Sequence, residues 1–222
     1  MTGYVVAHNV VSSPRRERKK QQTRDALVHA ALTLFHAKGY EHTAVREITD
    51  AVDVSERTFF RYFASKEDLA LSFVREGTEL MKEMLAARPP AEEPLAALLA
   101  ATRASITELI ARRPLPGPAP TYLKILKLID TTPTLLAAYL RYVHDQDAEV
   151  VRVLAAREDV DPAADLRPRI LSAAFGGLVF LAIRDWRTEG GGGVETMLTA
   201  LQAYTAQLGP ALAGHWSAAP AR

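Results

Sequence analysis

The chain has 222 residues, 48% of them hydrophobic and 24% charged, with a formal net charge of +1 and no cysteine. That length and apolar fraction suffice for one large or two modest packed domains and argue against low-complexity disorder away from the ends. The missing cysteines exclude disulfides, thiolate catalysis and Cys-ligated metals. A short apolar stretch, Tyr4 to Val11, precedes the basic cluster, the reverse of a signal peptide, so a cytoplasmic protein is expected. The apolar run Ile170 to Ile183, about 14 residues, falls short of the roughly 20 that span a bilayer. It reads as a buried core helix, and no membrane partner is expected.

Residues 1–14 read as a tail. A helix follows from Arg15 or Glu17 to Lys38, with Leu27, Ala30, Ala31, Leu34 and Phe35 at helical spacing and Gly39 as its left-handed cap. Thr43 is the expected N-cap of a second helix that buries Val45, Ile48 and Val52. Asp53-Val54 makes a turn, and Ser55 caps a third helix carrying Arg57, Thr58, Phe59, Phe60, Arg61, Tyr62 and Phe63. Two short helices across a tight turn are the layout of a helix-turn-helix, whose second helix enters the major groove of DNA. Ser65-Lys66-Glu67-Asp68 resembles a capping box opening a fourth helix, which runs to about Ala87 with Leu69, Phe73, Leu80 and Met84 on one side.

Pro89-Pro90 and Pro94 then punctuate the chain. Further helices are expected from Glu93 to Arg113, Tyr122 to Ile129, Pro133 to Arg157, Pro168 to Trp186 or Arg187, and Val194 to Ala213. The proline-rich segment 114–120 is a loop, and Gly190 to Gly193 a joint. The expected fold is all-α, about nine helices, divided into a helix-turn-helix domain (15–64), a connecting helix (65–88), a larger ligand-binding and dimerisation domain (89–214) and a tail (215–222). Between Arg15 and Lys66 eleven Lys and Arg face seven Asp and Glu, a local surplus of about four that suits a polyanionic partner.

From Arg24 to Phe73 the order and spacing of motifs resemble the TetR family of transcriptional regulators. The resemblance rests on Ala31-Leu32-Thr33-Leu34-Phe35, Lys38-Gly39-Tyr40, Thr43-Ala44-Val45-Arg46-Glu47-Ile48, Val52-Asp53-Val54-Ser55, Thr58-Phe59-Phe60-Arg61-Tyr62-Phe63 and Ser65-Lys66-Glu67-Asp68-Leu69. The remaining two-thirds match in helix count and length alone. Asp165-Leu166-Arg167-Pro168 to Trp186 faintly resembles a subset with acyl-CoA-like ligands. Many members carry Ala at the position of Thr49 and Gly at that of Asp53. Asp also adopts the left-handed conformation, at some cost, so the turn is expected to keep its geometry.

The resemblance implies a homodimer on double-stranded operator DNA, an inverted repeat, from which a small-molecule effector releases it as a repressor. Phosphates supply affinity and base edges specificity. Thr43, Ser65, Lys66 and Tyr62 are candidates for phosphate, with Thr43, Ser55 and Ser65 also suited to capping. Arg57 and Thr58 are candidates for base edges, Arg46 for the groove wall or a base, and Phe60 for sugar or a thymine methyl. Arg61 fits a phosphate contact and a solvated side chain equally. The basic run Arg15 to Lys20 suits added phosphate contacts or a solvated helix start.

In the larger domain Tyr122, Leu126, Tyr139, Tyr142, Val143, Gln146, Phe175 and Trp186 are candidates for an effector cavity, each weighed against plain core packing. Leu171, Ala174, Leu178 and Leu181, with Leu198, Leu201, Thr205 and Leu208, are candidates for a four-helix dimer interface, though packing within one chain would use the same residues. Two rival classes stand beside the regulator. An enzyme lacks its parts here: no phosphate loop, no Gly-x-Ser-x-Gly and no dinucleotide fingerprint. No catalytic residue, cofactor or metal is therefore expected, and His144-Asp145 with Asp147 reads as a polar helix face. An architectural DNA-binding protein without an effector would have a solid helical body.

Overall fold

The computed structural model describes residues 14–112, 121–188 and 193–214. Among the described residues there are nine helices and no strand: α1 (Pro14–Lys38), α2 (Val45–Asp50), α3 (Glu56–Tyr62), α4 (Lys66–Ala86), α5 (Pro94–Arg112), α6 (Thr121–Thr131), α7 (Pro133–Arg157), α8 (Arg167–Thr188) and α9 (Val194–Leu212). The fold is all-α. The expected tails, the proline loop and most of the glycine joint lie outside the described residues. The chain divides into two compact units, residues 1–69 and 70–222. The division falls inside α4, whose first turn belongs to the smaller unit, rather than at either end of a separate connecting helix.

The smaller unit is built on the apolar stripe of α1. Leu27, Val28, Ala31 and Phe35 are buried together with Ile48, Phe59, Phe63 and Leu69. Complete burial of a side chain such as Phe59 contributes about 1.5–3 kcal/mol relative to exposure. Phe59 meets Phe63 at 5.6 Å between ring centroids, and Phe35 meets Tyr40 at 5.1 Å. Gly39, at φ +89°, ends α1 by donating its N–H to the Phe35 carbonyl at 3.0 Å.

The turn between α2 and α3 carries Asp53 at φ +55°. Asp53 N–H donates to Asp50 O at 3.2 Å and Val54 N–H to Thr49 O at 3.1 Å, the paired bonds of a Schellman ending. Asp53 thus occupies the left-handed position, as expected of it. Ser55 then caps α3, its Oγ accepting from Thr58 N–H at 3.2 Å. Ser65 Oγ accepts from Asp68 N–H at 3.1 Å, and the Asp68 carboxylate accepts from Ala64 N–H at 2.9 Å. These reciprocal bonds start α4.

The larger unit packs α7, α8 and α9 side by side, with α6 on α7 and α5 against α8 and α9. Thr132 precedes α7 in an extended conformation and Pro133 takes its first position, where a missing N–H costs nothing. One apolar cluster joins Leu85, Leu98, Leu154, Phe175 and Leu201. A second joins Ile106, Leu126, Ile183, Trp186, Met197 and Leu198. By length and composition α5, with a mean hydropathy of 1.3, could cross a bilayer. Its Ala97, Leu98, Ala101, Ile106 and Leu109 are instead buried in this unit.

Charged side chains also tie these helices. Lys82 on α4, its side chain 8% exposed, donates to Glu79 and to Gln146 Oε1 at 2.8 Å each, and to Glu149 on α7. Arg157 donates to the backbone carbonyls of Pro89, at 2.8 Å, and Glu92, fixing the segment between α4 and α5.

Candidate DNA-binding face and effector cavity

Alternation along α3 separates a packed side from a free one. Phe59 and Phe63 are buried, Thr58 and Tyr62 half-buried, and Glu56, Arg57, Phe60 and Arg61 exposed. Phe60 is 55% exposed, unusual for a ring of that size, and meets the buried Phe59 edge-on at 5.2 Å. Arg57 has no hydrogen-bond or ion-pair partner among the described residues. Arg61 lies 5.1 Å from the centre of the Tyr62 ring and donates to its hydroxyl at 3.4 Å. Arg46 on α2 is highly exposed and 3.8 Å from Asp50, a surface pair of little energetic weight. Arg57, Phe60 and Arg61 therefore form one solvent-facing surface of α3.

Two residues differ from their expected roles. Thr43 is not the N-cap of α2. Ala44 takes that position, and its N–H is accepted by the Glu47 carboxylate at 2.8 Å. Thr43 is 2% exposed and donates its hydroxyl to Gly39 O at 2.8 Å, so its side chain is committed to the loop after α1. Lys66 is partly buried. Its ammonium donates to the carbonyls of Tyr40 at 2.8 Å and Thr43 at 3.0 Å and stands 4.1 Å from the centre of the Tyr40 ring. Two of its three N–H groups are thus spent on the loop between α1 and α2, and the cation–π contact adds to them. Lys66 is a clamp on that loop rather than a free charge. Ser55 and Ser65, by contrast, cap α3 and α4 as expected.

In the larger unit a cavity of about 180 Å³ lies between α4, α5, α7 and α8. Tyr139, Val143, Gln146 and Phe175 line it, as expected from sequence. Leu126 and Trp186 do not: both belong to the apolar cluster with Ile183 and Leu198. Tyr142 is also absent from the lining, and is buried with Arg75 4.9 Å from its ring centre. The side chain of Tyr122 lies outside the described residues. Sequence reasoning missed the contributions of α4 and α5, namely Val74, Gly77, Thr78 and Met81 with Leu98, Thr102, Ser105 and Ile106. Hydroxyl residues within apolar helices were the available signal. It also missed Asp147, which accepts from Ser172 Oγ at 2.6 Å on the cavity wall. Asp147 thus serves a helix-to-helix bond, and among the described residues no three His, Asp or Glu converge as a metal set would. Burial pushes the Tyr139 phenol up to about 12, so it stays neutral.

The residues expected at a dimer interface divide in two. Leu198, Leu201 and Thr205 are 0%, 2% and 7% exposed within the single chain, so they form its own core. A leucine stripe looks the same whether a second subunit or the chain's own helices cover it. Leu171, Ala174, Leu178, Leu181 and Leu208 are half-buried. Leu171 and Leu178 pack against the first apolar cluster. The exposed side of α8 instead carries Ile170, Ala173, Gly177 and Arg184, and that of α9 Thr199, Gln202, Ala203 and Ala206. A Cβ added at Gly176 or Gly177 would meet no atom within 4 Å, so no packing within the chain calls for either glycine.

Comparison with known proteins agrees with this architecture. Residues 27–73 match the bacterial regulatory proteins of the tetR family, and residues 96–213 match the MftR C-terminal domain. The HTH-type transcriptional regulator TcmR of Streptomyces glaucescens is 37% identical over 201 residues, covering 90% of this chain and 89% of that one. Among solved structures, NalD, the secondary repressor of the MexAB-OprM multidrug efflux pump in Pseudomonas aeruginosa, superposes with a TM-score of 0.54 at 22% identity, covering 86% of this chain and 96% of that one. The SmeT–triclosan complex superposes with a TM-score of 0.55 at 18% identity, covering 84% and 91%. Both likenesses are of fold. With its helix-turn-helix unit, its separate helical unit and a relative matched along nearly its whole length, the chain belongs to the TetR family of bacterial transcriptional regulators and is not an enzyme.

Proposed function

We propose that this regulator is a cytoplasmic repressor, a homodimer on an inverted-repeat operator, released when a small molecule enters the cavity of the larger unit. The observation that carries the reading is the pairing of two features in one chain. One is the solvent-facing Arg57, Phe60 and Arg61 on α3, and the other is a cavity of about 180 Å³ in a unit that could have packed solid. A cavity of about 150 Å³ already takes a single aromatic ring. It also disfavours the architectural alternative, for which a filled body was expected. In this reading Arg57 and Thr58 read bases, with Arg46 and Phe60 beside them, while Arg61 and Tyr62 meet phosphate. The exposed sides of α8 and α9, with their small residues, form the dimer face in place of Leu198, Leu201 and Thr205.

α4 carries residues of both units and lines the cavity through Val74 and Met81. It is the covalent route by which an occupied cavity changes the spacing of two recognition helices. Only a ligand that binds the released state better than the DNA-bound state moves that equilibrium. Linkage then requires operator to weaken ligand binding by the same factor, and a tenfold effect needs about 1.4 kcal/mol. The test is a footprint, followed by titration of a ligand found by thermal-shift screening, with and without saturating operator. A symmetric two-half-site footprint and weaker binding in the presence of DNA are expected. A single half-site, or equal affinity in both titrations, overturns the reading.

A further inference from the structure

We propose that the cavity selects small apolar molecules bearing a hydrogen-bond donor, a hydroxyl or an ammonium, and rejects those bearing an anionic group. The inference rests on the reading of the cavity as the effector site. Among the described residues the lining contains no Lys, Arg or His, and its one charged side chain is the carboxylate of Asp147. Asp147 is exposed, and its Oδ1 accepts from Ser172 Oγ at 2.6 Å, which leaves its second oxygen available as a charged acceptor.

The hydroxyl groups reinforce this bias. Thr78 donates to Val74 O at 3.0 Å and Ser105 to Thr102 O at 2.9 Å, each within its own helix. With Ser172 committed to Asp147, three lining hydroxyls have spent their hydrogens and keep only lone pairs. Gln146 turns its Oε1 to Lys82, so its amide N–H₂ remains a donor, beside the Tyr139 phenol, on this wall of acceptors. Besides the Tyr139 phenol and the Thr102 hydroxyl, the other lining side chains, Phe175 and Val179 among them, are apolar. A ligand hydroxyl or ammonium therefore finds several acceptors. A carboxylate finds a like charge and, among the described lining residues, no cation, and like charges at close range repel. A buried anion without a partner is also costly in itself. A polyanionic headgroup, as on an acyl-CoA-like ligand, likewise meets no cation among the described residues of this lining.

The experiment is calorimetric titration of the full chain with three probes of equal length, each a single ring on a four-carbon chain: 4-phenylbutan-1-ol, 4-phenylbutylamine and 4-phenylbutyrate. The alcohol and the amine are expected to bind, and the carboxylate to bind about tenfold more weakly or worse. Asp147→Asn keeps the shape and removes the charge, and should close most of the gap between amine and carboxylate. Thermal melting checks that the variant is folded. The alcohol separates donation from charge: binding by the amine alone would overturn a hydrogen-bond-donor class. Phenylbutyrate binding as tightly as the alcohol overturns the proposal while leaving the cavity as an effector site. A gap that persists unchanged in Asp147→Asn places the discrimination elsewhere and also overturns it. If none of the three binds, the effector reading of the cavity fails with it.

Discussion

The two units use polar side chains in opposite ways. In the smaller unit they close the backbone: Ser55 and Ser65 cap helices, Glu47 caps α2, Thr43 holds Gly39, and Lys66 holds the carbonyls of Tyr40 and Thr43. The outward side of α3, a seven-residue helix, takes no part in this closure. In the larger unit polar side chains join helices distant in sequence, as Lys82 does with Gln146 and Glu149, and Ser172 with Asp147. The first arrangement makes a rigid reading surface from local bonds. The second leaves a space whose walls come from four helices and whose shape follows their packing. A regulator needs both, a fixed face to recognise a sequence and a body whose packing a ligand can alter.

The largest effects test the rigid face. Phe59 is fully buried and touches Phe63, so Phe59→Ala should cost about 3–5 kcal/mol. Chemical denaturation should show the loss, and operator binding should vanish with it. Phe175→Ala removes a ring that is 6% exposed yet lines the cavity. It should also destabilise, but by less than Phe59→Ala, because the ring already borders empty space. A larger loss at Phe175 than at Phe59 would contradict the contrast between a packed face and a hollow body.

Lys82 comes next. Burial works against its charge, but its hydrogen bonds to Glu149 and Glu79 outweigh that and hold the ammonium above its ordinary range. The bond to Glu149 in turn holds that carboxylate below its ordinary value. Lys82→Met should cost about 1.5–3 kcal/mol, the range for hydrogen bonds to charged groups. A depressed carboxylate contributes stability that is present above its unfolded value and lost as pH falls through the folded one. Below about pH 4.5 the wild type should therefore lose this contribution. Lys82→Met, which no longer has it, should show a flatter acid limb. Thermal melts between pH 7 and the acid range measure this, and parallel curves would dismiss the linkage.

Arg57 and Lys66 give a sharper pair of tests. Arg57→Ala should cost about 1–3 kcal/mol in operator binding and relax base preference, with melting unchanged, because its side chain has no partner among the described residues. Lys66→Ala should lower the melting temperature, since it releases two carbonyls and a ring contact. Operator binding should fall with it, but the slope of affinity against salt should stay as it is, because the ammonium is not a free phosphate contact. A flattened slope with normal melting would return Lys66 to the phosphate.

What the sequence made legible follows the same division. Helix-turn-helix geometry is written in neighbours: Gly39, Asp53, Ser55 and Ser65 each act on backbone groups within five residues. Their spacing therefore identified the unit and the outward side of α3. Lys66 escaped because its partners lie 23 and 26 residues away. The cavity escaped in part for the same reason. Helical spacing on α7 found Tyr139, Val143 and Gln146, but it could not say that Tyr142, three residues from Tyr139, points into the core. On α9 the spacing marks the leucine stripe but not what covers it. Burial of Leu198 and Leu201 is decided by α5 and α8, which no local pattern encodes.

The smallest expected effect probes whether the local bonds of the turn are optimal or only sufficient. Asp53 holds φ +55°, where a side chain costs roughly 1–2 kcal/mol, less for Asp than for most residues. Its N–H and that of Val54 still complete the Schellman bonds, so the turn geometry is already made. Glycine would relieve the strain but would also free the unfolded chain, which returns about 0.4–1 kcal/mol of the gain. Asp53→Gly should therefore stabilise the chain by at most about 1 kcal/mol and leave operator affinity unchanged. Asp53→Val, β-branched at a left-handed position, should destabilise by more than that and weaken operator binding through the displaced α3. Melting of the two variants beside the wild type orders them as Gly, Asp, Val. Any other order would mean that the Asp53 side chain supplies something to the turn that its backbone conformation does not explain.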